Sequence, residues 1–171
     1  AVARLQDEKV ESVTIQMVPC FVHSMDNIIE VQGFGRLSVD MVYAGGFFAM
    51  VNSVQLGFAL IAENAAKIAS LGMAVIDAAN QQLRVRHPLQ PGVTTVDVAE
   101  FYDLTDHALC RGKGAVVYGE AHVDRSPCGT GTSGKMALLY QRGELQLNQK
   151  YVNAGILNTT FDARLIAETQ V

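Results

Sequence analysis

The sequence predicts an α+β fold made of several antiparallel strands and two helices. In residues 28–51, short apolar runs typical of strands are separated by glycines. Residues 63–83 and 130–142 have helical character, and further strand-like segments lie between and after them. Because strands and helices do not alternate regularly, as they do in parallel sheets, this order favours an α+β architecture.

Local patterns define the individual elements. Residues 10–18 alternate apolar and polar side chains, which predicts a half-buried strand ended by Pro19. The helix over 63–83 repeats apolar residues at three- and four-residue spacing. The second helix is expected to begin near Thr130 and to end before Gly143. The other predicted strands cover residues 28–31, 36–43, 47–51, 93–101, 115–118, 151–157 and 161–171.

The composition fits one globular domain over residues 1–171. Apolar residues make up 49% and charged residues 18%, which argues against disorder, and no apolar run reaches the roughly 18 residues of a membrane helix. The net charge of -4 without a basic block gives no sign of nucleic-acid binding. Three cysteines without a CxxC pair favour a reducing cytosol, and the four histidines have no ligand spacing, so no metal site is predicted.

The most informative stretch is DRSPCGTGTSGK, from Asp124 to Lys135. It places Cys128 where a glycine-rich turn enters the second predicted helix. A helix N-terminus stabilises a thiolate, so this position predicts a lowered thiol pKa. The amides of residues 129–132 lack intrahelical partners, and such amides bind carboxylates and phosphates. A thiol beside an anion pocket suits removal of a proton next to a substrate carboxylate.

The residues alone leave other interpretations open. Cys128 is also compatible with a small buried residue at a packed turn, and Asp124 with a turn or helix-start acid. His122 lies on the same side as Asp124 if both belong to a strand, yet the residues favour an exposed or core histidine. Residues 129–134 match GxGxxG without the acidic residue expected about 20 positions later. The overlapping GxxxxGK pattern has Met136 where a phosphate-binding loop needs Ser or Thr.

Together these residues resemble the proline racemase family, which includes hydroxyproline 2-epimerases. The match to DRSPCGTGTS at residues 124–133 is nearly complete, and the resemblance extends over most of the chain. Members carry an earlier Met-Cys-Gly-His segment with a second catalytic cysteine, which is absent here because Phe21 follows Cys20 and Arg111 follows Cys110. The supporting segments are Val18-Pro19, residues 43–49, His87-Pro88 and residues 143–145.

The resemblance implies the C-terminal half of a two-domain racemase. Its fold would be diaminopimelate-epimerase-like, with a curved, mostly antiparallel sheet wrapped around a central helix. The missing N-terminal half would be the partner that completes an active site between the domains, so the fragment alone is expected to be inactive. The full-length protein would be a cytoplasmic homodimer. The lack of a methionine at Ala1 and the predicted last strand reaching Val171 are consistent with a piece of a longer protein.

The resemblance also implies a cofactor-free, two-base racemase or epimerase acting on proline or 4-hydroxyproline. Cys128 would be one of two cysteines that remove and return the α-proton on opposite faces of the substrate. Related trans-3-hydroxyproline dehydratases carry Thr at this position, so Cys128 favours racemisation or epimerisation. Three other functions stay open. They are a non-catalytic domain that binds small carboxylates, a trans-3-hydroxyproline dehydratase-like enzyme of the same family, and a transferase or hydrolase that uses the thiol covalently.

The substrate-binding residues are carried over from the same resemblance. Asp124 would hold the ring nitrogen, while Gly129 and Thr130 would donate backbone N–H groups to the carboxylate. Tyr118 would form an aromatic wall, and His122 is a further candidate for the pocket.

Two glycines depart from the family pattern. Gly46 stands where Asn is common, and Gly134 replaces the usual Ala of the motif helix. A glycine inside that helix is expected to weaken it by up to about 1 kcal/mol. Neither departure removes a catalytic group, but both leave the choice of substrate open. The adjacent Phe47 and Phe48 are expected to pack one ring on each face of their strand.

Overall fold

The structure is a computed structural model, and it describes residues 1–170. The helices are α1 (Ala65–Gln82) and α2 (Gly129–Gln141). The strands are β1 (Val2–Gln6), β2 (Lys9–Thr14), β3 (Phe21–Val31), β4 (Gly35–Tyr43), β5 (Phe47–Asn52), β6 (Val96–Asp103), β7 (Arg111–Tyr118), β8 (His122–Val123), β9 (Tyr151–Ala154) and β10 (Thr160–Ala163).

Strands β3 to β10 form one mixed sheet. Seven of them follow the order β10-β9-β7-β6-β5-β4-β3, and β8 pairs with β7 beside this path. All pairs are antiparallel except β5 with β6 and β7 with β9. The sheet is curved and open, with α2 as its central helix, which confirms the predicted fold class.

The two helices pack on opposite faces of this sheet. Successive side chains of a strand point to opposite faces, and along β5 this sends Phe47 into the core under α1 and Phe48 into the core under α2. The prediction of one ring on each face is therefore confirmed. The α1 core is the larger one, and α1 contributes Ile68, Leu71 and Val75 to it.

The predicted helices and most predicted strands lie within a few residues of the observed ones. A short 3-10 turn, Ala62–Asn64, precedes α1 and replaces the predicted first helical residues. Gly143 follows α2 with a φ of 75°, the left-handed conformation that commonly ends a helix. The segments predicted at 28–31, 93–101 and 115–118 belong to the longer or shifted strands β3, β6 and β7. Neither helix within residues 1–170 has the length and apolar character needed to cross a membrane.

The N-terminal segment differs from the prediction. Strands β1 and β2 form a separate hairpin, joined by Asp7 and Glu8 with φ values of 49° and 62°, as a two-residue type I′ turn requires. Every residue of both strands is exposed, and β2 ends at Thr14. A strand is therefore confirmed for residues 10–14, but the prediction that it is half-buried and extends to residue 18 is wrong. Alternation locates a strand, but it cannot show whether anything covers the apolar side.

The C-terminal strands are shorter than predicted. The segment predicted at 151–157 ends as a strand at Ala154, because a turn follows in which the Asn158 N–H donates to the Gly155 carbonyl. The strand predicted at 161–171 ends at Ala163, and residues 164–170 form no strand. These residues instead approach the end of α2, where the Tyr140 hydroxyl donates to Glu168 at 2.7 Å. Val171, the last residue of that prediction, lies outside the described residues.

Candidate active site

Hydrogen bonds within the loop set the entry into α2. The Asp124 carboxylate accepts the Ser126 N–H at 2.8 Å, and the Ser126 hydroxyl accepts the Cys128 N–H at 3.0 Å. From inside the helix, the Thr132 hydroxyl donates to the Pro127 carbonyl at 3.0 Å. Such short polar side chains satisfy backbone groups locally and fix tight turns. The loop therefore holds Cys128 as the residue immediately before the helix.

Cys128 is the N-cap residue of α2. Its backbone has φ 58° and ψ 116°, a positive φ that is uncommon for any residue other than glycine. The thiol accepts the Gly131 N–H at 3.4 Å and lies 3.4 Å from the Thr130 hydroxyl. A sulfur thus takes the place of the side-chain oxygen that usually caps a helix. This geometry aims the thiol at the unpaired donors of the first turn.

Burial raises the pKa of the Cys128 thiol above its ordinary value. The hydrogen bonds from Thr130 and Gly131 lower this pKa, whereas the charges of Glu100 and Asp124 raise it further. The predicted lowering of the thiol pKa is therefore wrong in its net direction. The helix terminus acts as predicted, but the loss of water around the sulfur outweighs it.

Two backbone donors lie beside the thiol. Within residues 1–170, no acceptor is hydrogen-bonded to the amides of Gly129 and Thr130. Met17 approaches Gly129 so closely that a Cβ built there would lie 3.1 Å from its methyl group, and the Thr130 methyl would lie 3.8 Å from a Cβ at Gly45. The segment before β3 and the turn between β4 and β5 thus flank the first turn of α2. Free N–H groups at a helix N-terminus can bind a carboxylate.

The other predicted residues lie on the strands and loop that lead into α2. Tyr118 and His122 pair across β7 and β8, with ring centroids 5.9 Å apart and an interplanar angle of 35°. Both side chains are exposed, so His122 has the exposed environment that the sequence left open. The Asp124 N–H donates to the Val116 carbonyl at 2.9 Å, which anchors the loop on β7. Asp124 itself is half-buried, with one carboxylate oxygen engaged by the loop.

A buried polar cluster beneath α2 was not predicted. Glu100 on β6 and Lys135 on α2 are both fully buried, with 3.8 Å between Oε1 and Nζ. Lys135 donates to the Lys113 carbonyl at 3.2 Å and to the Asn153 side chain. Asn153 in turn donates to the Pro127 carbonyl at 3.1 Å, which connects the cluster to the loop before Cys128. The sequence signal is weak, because Glu100 shares its strand with Asp97 and Asp103, and each charge taken singly suggests a solvated surface.

Burial shifts the pKa of each partner of this pair in the direction that favours its neutral form. It raises the pKa of Glu100 to about 7 and lowers the pKa of Lys135 to about 8, while the opposite charge of each partner resists the change. Neither carboxylate oxygen of Glu100 has a hydrogen-bond partner among residues 1–170. The Lys135 ammonium is therefore the nearest compensation for a buried carboxylate.

Known proteins match this chain over nearly all of its length. A family model described as proline racemase matches residues 1–171. The proline racemase of Clostridioides difficile is 37% identical over 165 residues, which are 96% of this chain and 49% of that protein. A 4-hydroxyproline 2-epimerase of Agrobacterium fabrum is 37% identical over 171 residues, which are 100% of this chain and 49% of that protein. The chain spans about half the length of the curated relatives it matches.

Solved structures agree with the fold. A probable proline racemase from Agrobacterium radiobacter, with bound carbonate, superposes with a TM-score of 0.90 at 33% identity, covering 99% of this chain and 49% of that chain. A hydroxyproline epimerase from Agrobacterium vitis, with bound trans-4-OH-L-proline, gives a TM-score of 0.90 at 32% identity, covering 99% of this chain and 48% of that chain. The likeness thus extends over almost the whole chain and about half of each neighbour.

Proposed function

The chain belongs to the proline racemase family, and from that premise we propose that it supplies one of the two acid–base groups of an amino-acid racemase or epimerase. The reaction inverts the α-carbon of proline or 4-hydroxyproline without a cofactor, and Cys128 is the base on one side. The observation that carries the proposal is the N-cap position of Cys128, whose thiol lies beside the free amides of Gly129 and Thr130.

The geometry supports separate roles for the amides, which bind the substrate carboxylate, and the thiol, which removes the proton. A substrate carboxylate bound by the amides of Gly129 and Thr130 brings the adjacent α-carbon toward the sulfur. The Cys128 thiolate removes the α-proton, and the charge that develops spreads onto the carboxylate, where the same N–H donors stabilise it. The raised pKa of the thiol reduces the thiolate fraction at neutral pH, but it makes each thiolate a stronger base.

The second base is proposed to lie outside this chain. Cys20 donates to the Ser133 carbonyl at 3.5 Å, and Cys110 accepts from Gln149, so both other thiols have partners of their own. The chain spans about half of its relatives. We therefore propose that residues 1–171 form the second domain of a two-domain enzyme whose active site lies between the domains. The isolated domain is then inactive, and the full-length protein is a cytoplasmic homodimer.

The remaining substrate contacts are assigned by the same resemblance. Asp124 keeps one carboxylate oxygen outside its loop hydrogen bond, and that oxygen is suited to the ring nitrogen of the substrate. Tyr118 is 44% exposed and forms a wall of the pocket, with His122 next to it. An aromatic ring packs well against the apolar part of a pyrrolidine.

Exchange of the α-proton in D₂O, followed by NMR, tests the proposal. L-Proline and trans-4-hydroxy-L-proline are given separately to the complete gene product and to the 171-residue chain. The complete product is expected to exchange and invert one of them, and Cys128→Ser to reduce the rate at least about 100-fold because the base is lost. Cys110→Ser serves as the control and is expected to retain the parent's rate. Undiminished exchange by Cys128→Ser would overturn the role of this thiol.

A non-catalytic domain that binds small carboxylates is the second candidate. The raised pKa of the Cys128 thiol favours it, because a protonated thiol beside two free amides can bind an anion without removing a proton. Calorimetry with L-proline separates the two functions. Binding by the complete gene product without any α-proton exchange would favour this candidate over the racemase.

A further inference from the structure

Glu100 is a buried carboxylate that faces the first turn of α2 from the sheet. Its side chain is fully buried, and neither oxygen accepts a hydrogen bond from any residue in the range 1–170. Two glycines make room for it. A Cβ built at Gly114 would lie 2.7 Å from Oε1, and a Cβ at Gly131 would lie 2.6 Å from Oε2. A side chain at either position would collide with the carboxylate.

Gly131 also contacts Cys128, so a single residue separates the carboxylate from the thiol. The Gly131 N–H donates to the sulfur at 3.4 Å, and a Cβ built at Gly131 would lie 3.3 Å from the Cys128 Cβ. A glycine places no bulk between the two groups. Glu100 and Gly131 are buried, and charges interact more strongly through a protein interior than they do at the surface.

Stability alone does not account for a carboxylate at this position. A buried charge without hydrogen bonds is costly, and a buried ion pair is often no more stable than apolar side chains of similar volume. The Glu100–Lys135 distance of 3.8 Å is longer than a direct hydrogen bond, so Lys135 compensates the charge only in part. A charge retained beside a proposed acid–base thiol is best explained by its effect on that thiol.

We infer that Glu100 is a positioning residue of the Cys128 site, whose charge acts across Gly131 to oppose formation of the thiolate, with Lys135 as its countercharge. The inference deepens the proposed function and rests on it for the role of the thiol as a base. It means that Glu100 keeps the resting thiol protonated and strengthens the base that forms when the proton leaves. The charge of Glu100 is among the causes that raise the pKa of Cys128.

Other ionisable groups around this pair must be counted in any pH profile. Asp124, in the loop before α2, opposes the thiolate as Glu100 does. On the other side, Tyr151 of β9 interacts with Glu100, and Asp103 at the end of β6 interacts with Lys135. Because all these groups are present in the parent protein, only a change at Glu100 isolates its contribution.

The test is the pH dependence of alkylation of Cys128 by iodoacetamide, which reacts with the thiolate. The complete gene product and the 171-residue chain are both used, and mass spectrometry quantifies the Cys128 peptide because Cys20 and Cys110 also react. In Glu100→Gln, the rate at about pH 8, where Glu100 with its pKa of about 7 is mostly charged in the parent, is expected to rise about threefold or more, with the midpoint of the profile at lower pH. Glu100→Asp, which keeps the charge, is expected to return the profile toward that of the parent.

Two further variants separate this effect from a general loss of structure. The double variant Glu100→Gln with Lys135→Met removes both charges of the buried pair, so neither is left without its partner. It is expected to fold even where Glu100→Gln alone does not, and its alkylation profile is expected to shift in the same direction. Asp40→Asn removes another buried carboxylate, which is paired with Arg142 beyond the opposite end of α2. This control is expected to keep the parent's profile even if it lowers stability.

Either of two results would overturn the inference. One is that the profiles of Glu100→Gln and of the double variant coincide with that of the parent. The other is that Asp40→Asn raises the rate as much as Glu100→Gln does, which would indicate increased exposure of the sulfur. Alkylation reads the thiol directly, whereas α-proton exchange tests the racemase. A failure of this inference is therefore distinguishable from a failure of the proposed function.

Discussion

Helices α1 and α2 pack on opposite faces of one sheet, and they bury different kinds of side chain. The buried face of α1 is made of hydrocarbon, with Ile68 and Val75 fully buried against the strands. On α2, by contrast, Thr132, Ser133 and Lys135 are buried together with leucines. The α1 face is thus stabilised by the hydrophobic effect, whereas the α2 face depends on satisfying polar groups.

The comparison separates the face of the sheet that mainly supplies stability from the face that carries the proposed chemistry. Apolar packing is insensitive to pH and tolerates exchanges between apolar side chains of similar volume. Buried polar groups depend on their exact partners, since removing one partner leaves the other unsatisfied. The thiol of Cys128 lies on the α2 face, where charges such as Glu100 can act on it. Four predictions test this contrast, and they follow in order of decreasing effect.

Lys135→Met is expected to lower the free energy of unfolding by about 3–5 kcal/mol at pH 8, because it leaves the Glu100 carboxylate buried without its countercharge. Urea denaturation of the 171-residue chain measures the loss. Lys67→Met on the exposed side of α1 is the matched control, with an expected change within about 0.5 kcal/mol. If Lys135→Met leaves the free energy of unfolding unchanged or raises it, the α2 face is stabilised by apolar packing, as the α1 face is.

Titration of Glu100 is expected to change the free energy of unfolding with pH. Its folded-state pKa is raised from 4.5 to about 7, so its contribution is fully present below about pH 4.5 and is lost as pH rises toward 7. Compared with the double variant Glu100→Gln and Lys135→Met, the parent should lose on the order of 1–3 kcal/mol over this range. Urea titrations at several pH values measure the difference. Parallel curves for the two proteins would contradict the prediction.

Ile68→Val on α1 is expected to cost about 0.5–1.5 kcal/mol, because it removes one buried methylene from an apolar core. The loss should be the same at pH 5 and pH 8, since the core that surrounds this position is apolar. Paired urea titrations at the two pH values provide the measurement. A loss that changes with pH would show that charges act on the α1 face as well.

Val13→Ser in the N-terminal hairpin is expected to change the stability of the 171-residue chain by no more than about 0.5 kcal/mol. The side chain of Val13 is 55% exposed, and no residue of β1 or β2 is buried. The same urea assay measures it, with Val39→Ser in the buried part of β4 as a strongly destabilised reference. A loss above about 1 kcal/mol would mean that the hairpin packs against another surface in solution.

Much of the fold was predictable because its signals are local. The three- and four-residue spacing of apolar residues located α1. The glycine-rich turn located the beginning of α2, and Gly143 located its end. The adjacent Phe47 and Phe48 divided between the two faces as alternation requires. The position of Cys128 before a helix was likewise a matter of neighbouring residues. Such signals involve side chains within one or two turns of each other, so the sequence contains them directly.

Other features depended on distant parts of the chain. Gly134 was expected to weaken α2, but a Cβ there would lie 2.8 Å from the Met50 methyl and 3.3 Å from a Val42 methyl. The glycine therefore allows the helix to lie close to β4 and β5. In the N-terminal hairpin, the alternation that begins at residue 10 predicted a buried face, but every residue of β2 is exposed. Helix propensity and alternation alone reveal neither close approach nor coverage.

Patterns in the sequence were sufficient to identify the fold class, the two helices, the family and the position of Cys128 at a helix N-terminus. The direction of the thiol pKa and the presence of Glu100 beneath the first turn of α2 became known from the three-dimensional structure. The physical reason is the range of the interactions. Turn and helix signals act between neighbours, whereas desolvation and charge at Cys128 depend on strands brought together from distant parts of the chain.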